Sequence, residues 1–179
     1  MKRTILAAVV AVSLLAAFGQ SAQATEVGYS RKFGLGGQLG DPTGLTAKLW
    51  VGPTNALDFG LGFYAYGVVD RCYIDNGVQI CNRGGYSDGT FNMDYLWQSN
   101  IVRRSAQLDW HLGVGGRFTW IGNCSGDCIR LSARAPVGLD LMFQNPSFLE
   151  LYFEIAFDLN VFPGVWLDPE GGIGARFYF

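Results

Sequence analysis

The chain has 179 residues, 49% of them apolar and 15% aromatic, with 25 glycines and a net charge of −2. That is one domain's length, and its composition suits strands joined by tight turns better than helices. One histidine and no basic excess exclude the positive stripe of a nucleic-acid-binding protein.

The first 24 residues read as an export signal. Lys2 and Arg3 form a positive start, Ile5 to Phe18 is apolar except for Ser13, and Ala22-Gln23-Ala24 has the small-x-small form of a cleavage site. The run is shorter than the roughly 20 residues a spanning helix needs. Residues 25–179 are the expected mature domain. All four cysteines, Cys72, Cys81, Cys124 and Cys128, lie there, and an even count beyond an export signal favours disulfides.

From there the chain alternates with period 2. Apolar sets run Phe33 to Leu39, Leu45 to Val51, Leu57 to Gly67, Phe91 to Trp97, Leu108 to Trp120, Leu131 to Phe143, Leu149 to Leu159 and Ile173 to Phe179. The intervening phase carries Lys48, Asp58, Asp94, Asp109, His111, Arg117, Arg134, Asp140, Glu150, Glu154, Asp158 and Arg176. Eight strands with one apolar and one polar face follow. Asp41-Pro42-Thr43-Gly44, Gly52 to Asn55 and Gln144 to Ser147 read as short turns. Val69 to Gly89, Gly122 to Arg130 and Val161 to Glu170 read as longer loops. Ser99 to Ser105 reads as the longest of the turns on the side of the termini.

Period 2 does not say which face points outward, because a soluble barrel has the same alternation reversed. Three features favour apolar outside. Glycines 34, 36, 60, 62, 113, 115, 138, 172 and 174 share the charged phase, where they make room for large side chains in a narrow lumen. Phe33, Phe91, Trp97, Trp110, Trp120, Phe143 and Phe179 sit near the ends of the apolar phase, as an interface girdle would. No charge interrupts the apolar phase, and one at a bilayer midplane costs about 2–4 kcal/mol. The expected fold is an eight-stranded antiparallel up-and-down transmembrane β-barrel.

The terminal Gly174-Ala175-Arg176-Phe177-Tyr178-Phe179 resembles the C-terminal signal read by the outer-membrane barrel-assembly machinery. Its apolar side is Ile173, Ala175, Phe177 and Phe179. GQLGDPTGLTAKLW (37–50), RAPVGLDLMF (134–143) and LYFEIAFDLNVFP (151–163) resemble segments of small bacterial outer-membrane barrels of OmpA-like architecture. The resemblance implies a location and an assembly route, and no catalytic residue. The cysteine-bearing loops lie outside it.

Gly85-Tyr86-Ser87-Asp88-Gly89 fits G-x-S-x-G but lacks the strand-to-helix context that exposes such a serine. Asp109 and His111 share a face, with Ser105 nearby, which is weak geometry for an esterase. Cys124-x-x-x-Cys128 is not the redox spacing, and no histidine stands near the cysteines to complete a metal site. Local disulfides, Cys72 with Cys81 and Cys124 with Cys128, are the simplest of three connectivities.

An eight-stranded lumen is only wide enough for side chains to fill. The charged phase therefore reads as a salt-bridged plug; its acidic excess suggests a narrow cation-preferring pore as the alternative. The expected protein is a monomer in outer-membrane lipid, non-enzymatic and without cofactor or metal. Its expected role is structural or surface contact through the outer loops. A channel comes second and a membrane-embedded lipid or ester hydrolase third.

Overall fold

A computed structural model describes residues 27–64, 70–75, 78–83, 88–103, 106–122 and 128–179. The alternating segments form strands β1 (Phe33–Gly40), β2 (Thr43–Trp50), β3 (Asn55–Tyr64), β4 (Asp70–Asp75), β5 (Val78–Arg83), β6 (Asp88–Arg103), β7 (Ala106–Trp120), β8 (Ile129–Phe143), β9 (Leu149–Phe162) and β10 (Trp166–Tyr178). Eight close into an antiparallel barrel in the order β1-β10-β9-β8-β7-β6-β3-β2, while β4 and β5 pair only with each other. Closure runs from Gly34↔Tyr178 to Gly40↔Gly172 between the first and last strands, so the barrel keeps no open sheet edge.

The alternation sorts the side chains. Leu39, Leu45, Met93, Trp97, Val114, Phe153, Phe157, Ile173 and Phe177 lie exposed on the exterior. The lumen-facing phase is buried, charges included. Phe33, Phe91, Trp97, Trp110 and Phe179 are among the exposed aromatics. Among the described residues no helix is long and apolar enough to cross a membrane; the apolar surface lies on strands.

One end of the barrel carries residues 27–31, Phe179 and the strand ends at Trp50, Asn55, Arg103, Ala106, Phe143 and Leu149. The opposite end carries the Asp41-Pro42 turn and the strand ends at Tyr64, Asp88, Trp120, Ile129, Phe162 and Trp166. The Asp41-Pro42 turn thus joins the end with the longer loops, although its length groups it with the short turns. Its height also differs: β1 and β2 have 8 residues each, whereas β6 to β9 have 14 to 16.

Three boundaries depart from the sequence expectation. The segment from Ser99 is not a long turn: β6 continues to Arg103, absorbing a bulge between Asn100 and Val102, and β7 restarts at Ala106. β10 starts at Trp166, so the loop expected over Val161 to Glu170 shrinks, and Pro169 lies within the strand opposite Phe157. The long polar loop after β3 contains the β4–β5 hairpin. Residues 1–24, with the expected export signal, lie outside the described residues, as do Gly85 to Ser87, Ser105 and Cys124.

Pro136 breaks a rule of its own. It lies inside β8, and the β7–β8 pairing steps from Leu112↔Val137 to Gly115↔Arg134 without the two pairs between. Proline lacks the N–H that the ladder needs there. On its other side Pro136 still stands opposite Ala156 of β9.

Candidate functional site

The lumen is the place where the chain concentrates its chemistry, and small residues on one strand make room for large ones on the next. A Cβ on Gly34 would lie 2.8 Å from the Tyr178 ring, and one on Gly138 would lie 2.6 Å from the His111 ring. Gly60 and Gly115 leave the corresponding space to Asn92 and Asp94, and Gly174 leaves it to Tyr152. The glycines of the charged phase are therefore what allows it to be filled.

The filling is one continuous chain of charges of alternating sign. Arg176 of β10 donates from Nη2 to both carboxylate oxygens of Asp58 on β3, at 2.7 and 2.8 Å. Its Nη1 donates to Glu150 Oε1 on β9 at 2.9 Å. Its Nε and Nη2 donate to Thr46 Oγ1 at 3.0 and 2.7 Å, and the guanidinium lies 3.9 Å from the Tyr152 ring centroid. Glu150 Oε2 accepts from Tyr178 Oη at 2.9 Å and from Lys48 Nζ at 3.5 Å. Lys48 reaches on to Asp140 at 3.3 Å. Asp140 Oδ2 lies 2.7 Å from His111 Nδ1 and also accepts from Gln98.

His111 continues the chain, its Nε2 being 3.2 Å from Glu154 Oε2. Arg134 Nη2 donates to Glu154 Oε1 at 2.6 Å, Nη1 pairs with Asp94, and Nε lies 3.5 Å from Asp158. Asp158 meets Arg117 at 2.8 Å, and Arg117 pairs with Glu170. The sequence runs Asp58, Arg176, Glu150, Lys48, Asp140, His111, Glu154, Arg134, Asp158, Arg117, Glu170. His111 occupies a cation's position in it, with a carboxylate at each ring nitrogen.

Eleven of the twelve charge-phase residues read from the sequence lie along or beside this chain; Asp94 is the one beside it. Asp109 is buried but stands apart, taking hydrogen bonds from Asn100 and Gln107, both at 2.8 Å. Glu170 was missed. Period 2 back from Arg176 reaches it, but Pro169 argued for a loop there. The amide and phenol members, Gln98, Asn92 and Tyr178, carry no charge and gave no signal.

The lumen also has an apolar floor at the termini end. Val27, Trp50, Ala56, Leu96, Met142 and Tyr178 form a buried cluster. The turn at 28–30 folds Val27 back into it. Gly28 has φ +81°, which glycine adopts without strain, and a Cβ there would press on the Trp50 ring at 3.1 Å. The Trp50 ring centroid in turn lies 5.2 Å from Lys48 Nζ, so floor and charges meet.

His111 sits between Asp140 and Glu154 rather than beside Asp109, and no described serine hydrogen-bonds to it. The arginines cannot release a proton, so they stand in the chain as fixed positive charges. No group of three or more His, Cys, Asp or Glu suited to a metal occurs among the described residues. In the hairpin outside the barrel Cys72 stands opposite Cys81 in register. Cys128 is disulfide-bonded.

No family model matches the chain, and no curated protein matches it. Among solved structures, the N-terminal β-barrel domain of Pseudomonas aeruginosa OprF is similar at 12% identity, with a TM-score of 0.51. The match covers 83% of this chain and 96% of that one. The chain therefore has the fold of an OmpA-like eight-stranded β-barrel, the architecture its own alternation implies.

Proposed function

We propose that this chain is an exported, monomeric outer-membrane β-barrel without enzymatic activity. In this reading residues 1–24 direct export, and the phase ending in Phe179 guides assembly. The lumen is shut by paired charges over an apolar floor, and the role is structural or one of surface contact through the outer loops. Disulfides Cys72–Cys81 and Cys124–Cys128 brace those loops. The observation that carries the proposal is the sorting of faces: the strand exteriors are apolar, while Asp58, Asp94, Asp140, Glu150, Lys48 and Arg176 are buried inside. In water that exterior would be a contiguous apolar patch far beyond what monomers tolerate; in lipid it is the solvent-facing surface.

The acidic excess of the lumen favours one second reading, a narrow cation-preferring channel. Single-channel recording on the purified protein in planar bilayers separates the two. A silent bilayer at protein densities that give insertion supports the closed barrel. Steady cation-selective currents from the parent protein would replace it with the channel.

A further inference from the structure

We propose that residues 27–31 are a releasable strap across the mouth at the termini end, with Tyr29 latched to Arg103 and Val27 as the stopper of the floor. The proposal rests on the closed-lumen reading above and names the element that seals this end. Tyr29 stands just before β1, whereas Arg103 is the last residue of β6, three strands round the barrel by way of β2 and β3. Arg103 Nη2 donates to Tyr29 Oη at 3.0 Å, and its guanidinium carbon lies 5.8 Å from the Tyr29 ring centroid. Val27 is buried in the floor and Gly28 lies against the Trp50 ring, so the segment runs over the opening rather than along its rim.

Base and tip of the strap are held differently. At the base, the Arg31 carbonyl accepts from Gly28 N at 2.9 Å and the Lys32 carbonyl accepts from Trp50 N at 2.8 Å. Arg31 Nη1 also donates to the Tyr178 carbonyl at 3.2 Å. The tip is Tyr29, which is 57% exposed and tied to Arg103 through its hydroxyl and ring. Exposed ties of that kind contribute little, and segments held by them open locally while the strands stay paired.

The catch has a buried footing. Arg103 Nε donates to Gln107 Oε1 at 3.1 Å, and Gln107 Nε2 donates to Asp109 Oδ2 at 2.8 Å. Asp109 is the buried carboxylate that stands apart from the charged column. This run gives it a use: it orients the amide that orients Arg103. Lifting the strap takes Val27 off Trp50, Ala56 and Leu96, so water reaches the floor while the column above stays paired.

Thiol labelling of the folded full chain in mild detergent tests this, with a positively charged methanethiosulfonate as the probe and mass spectrometry as the readout. Ala56→Cys places a thiol in the floor and Ser132→Cys one toward the far end of the lumen, both at buried positions. The parent without an added thiol is the blank, and each variant is first shown to be folded by its migration on unheated gels. With the strap intact both thiols are expected to label slowly. Tyr29→Ala is expected to speed labelling of Ala56→Cys by roughly tenfold, the scale of one hydrogen bond to a charged group, and to leave Ser132→Cys unchanged. Arg103→Gln should give the same acceleration, and the two together no more than either alone, because both break one tie. Unchanged labelling of Ala56→Cys in Tyr29→Ala, additive effects of the two changes, or equal acceleration at both thiols would overturn the strap. Fast labelling of Ala56→Cys alone with the strap intact defeats the strap and spares the column. Fast labelling of both thiols there defeats the closed-lumen reading as well.

Discussion

The floor of the lumen and the charged column above it fill the same tube by different physics. The floor, from Val27 to Tyr178, excludes water by apolar contact, which is non-directional and tolerates small shifts. The column depends on direction: each carboxylate is placed to meet a particular donor, as Asp58 meets Arg176. Its members were taken out of water to be there, so a missing partner costs more than the pair contributes. Tyr178 belongs to both. Its ring is part of the floor, while its hydroxyl donates to Glu150. The apolar floor beneath also lowers the local dielectric, which strengthens the ion pairs at that end.

The comparison is broken most severely at Arg176. Arg176→Ala should lower stability by about 3–5 kcal/mol, because Asp58 and Glu150 then stay buried without their guanidinium. Urea unfolding from vesicles, followed by far-UV circular dichroism, measures this. Adding Asp58→Ala to that variant should restore part of the loss, since it removes one stranded charge. A double variant weaker than the single one by the full effect of Asp58→Ala would mean that the two groups are not coupled.

The floor should respond more mildly. Met142 is fully buried there, and Met142→Ala should cost about 2–3 kcal/mol, the lower part of the range for large-to-small changes. No charge is stranded, so adding Asp58→Ala to it should restore nothing, unlike in Arg176→Ala. A restoration at Met142 would show that the floor and the column are not separate devices.

How much of this was legible in the chain follows from which signals have a period. The eight barrel strands and the two phases were, because Leu149 to Leu159 or Leu131 to Phe143 can alternate so only on a sheet with unlike faces. Strand ends were less so: the bulge after Asn100 hides the continuation of β6, and Pro169 disguises the start of β10. The floor was hidden for a different reason. Trp50, Leu96, Met142 and Tyr178 stand in the polar phase, and only the stagger of the closed barrel brings them together. The ion pairs are likewise set by closure: Arg176 and Asp58 are 118 residues apart. A sequence can show that such charges share a face, but not which of them meet.

Smaller effects come from the glycines that let the two devices interlock. Gly34→Ala places a methyl against the Tyr178 ring, whose nearest atoms lie 2.8–2.9 Å from the added Cβ. The ring must tilt, and its hydroxyl then withdraws from Glu150. Overpacking of this kind costs about 1–3 kcal/mol. Combining it with Tyr178→Phe sharpens the comparison. If Gly34→Ala costs as much in the Phe background, the damage is steric and confined to the floor. If it costs less, the methyl acts through the hydroxyl on the column.

The smallest effect is expected at the other end, at Asp41 in the turn between β1 and β2. Its backbone N–H donates to the Gly171 carbonyl at 2.9 Å, but the side-chain Oδ1 is buried with no hydrogen-bond partner among the described residues. Burial pushes its carboxyl above the ordinary value, and Arg117 pulls it back in part. The sign follows from linkage. A carboxyl whose folded pKa is raised stabilises the fold most when protonated, below the ordinary value of about 3.9. That contribution is lost as pH rises through its folded value. Asp41→Asn imitates the protonated form at every pH. It should therefore match the parent in acid and exceed it slightly near neutrality, with no change in the barrel's β-sheet signal. Unfolding temperatures across pH 3 to 8 read the difference. A variant less stable than the parent at neutral pH would show that the attraction of Arg117 outweighs burial, which would make the turn an extension of the charged column instead of a cap beside it.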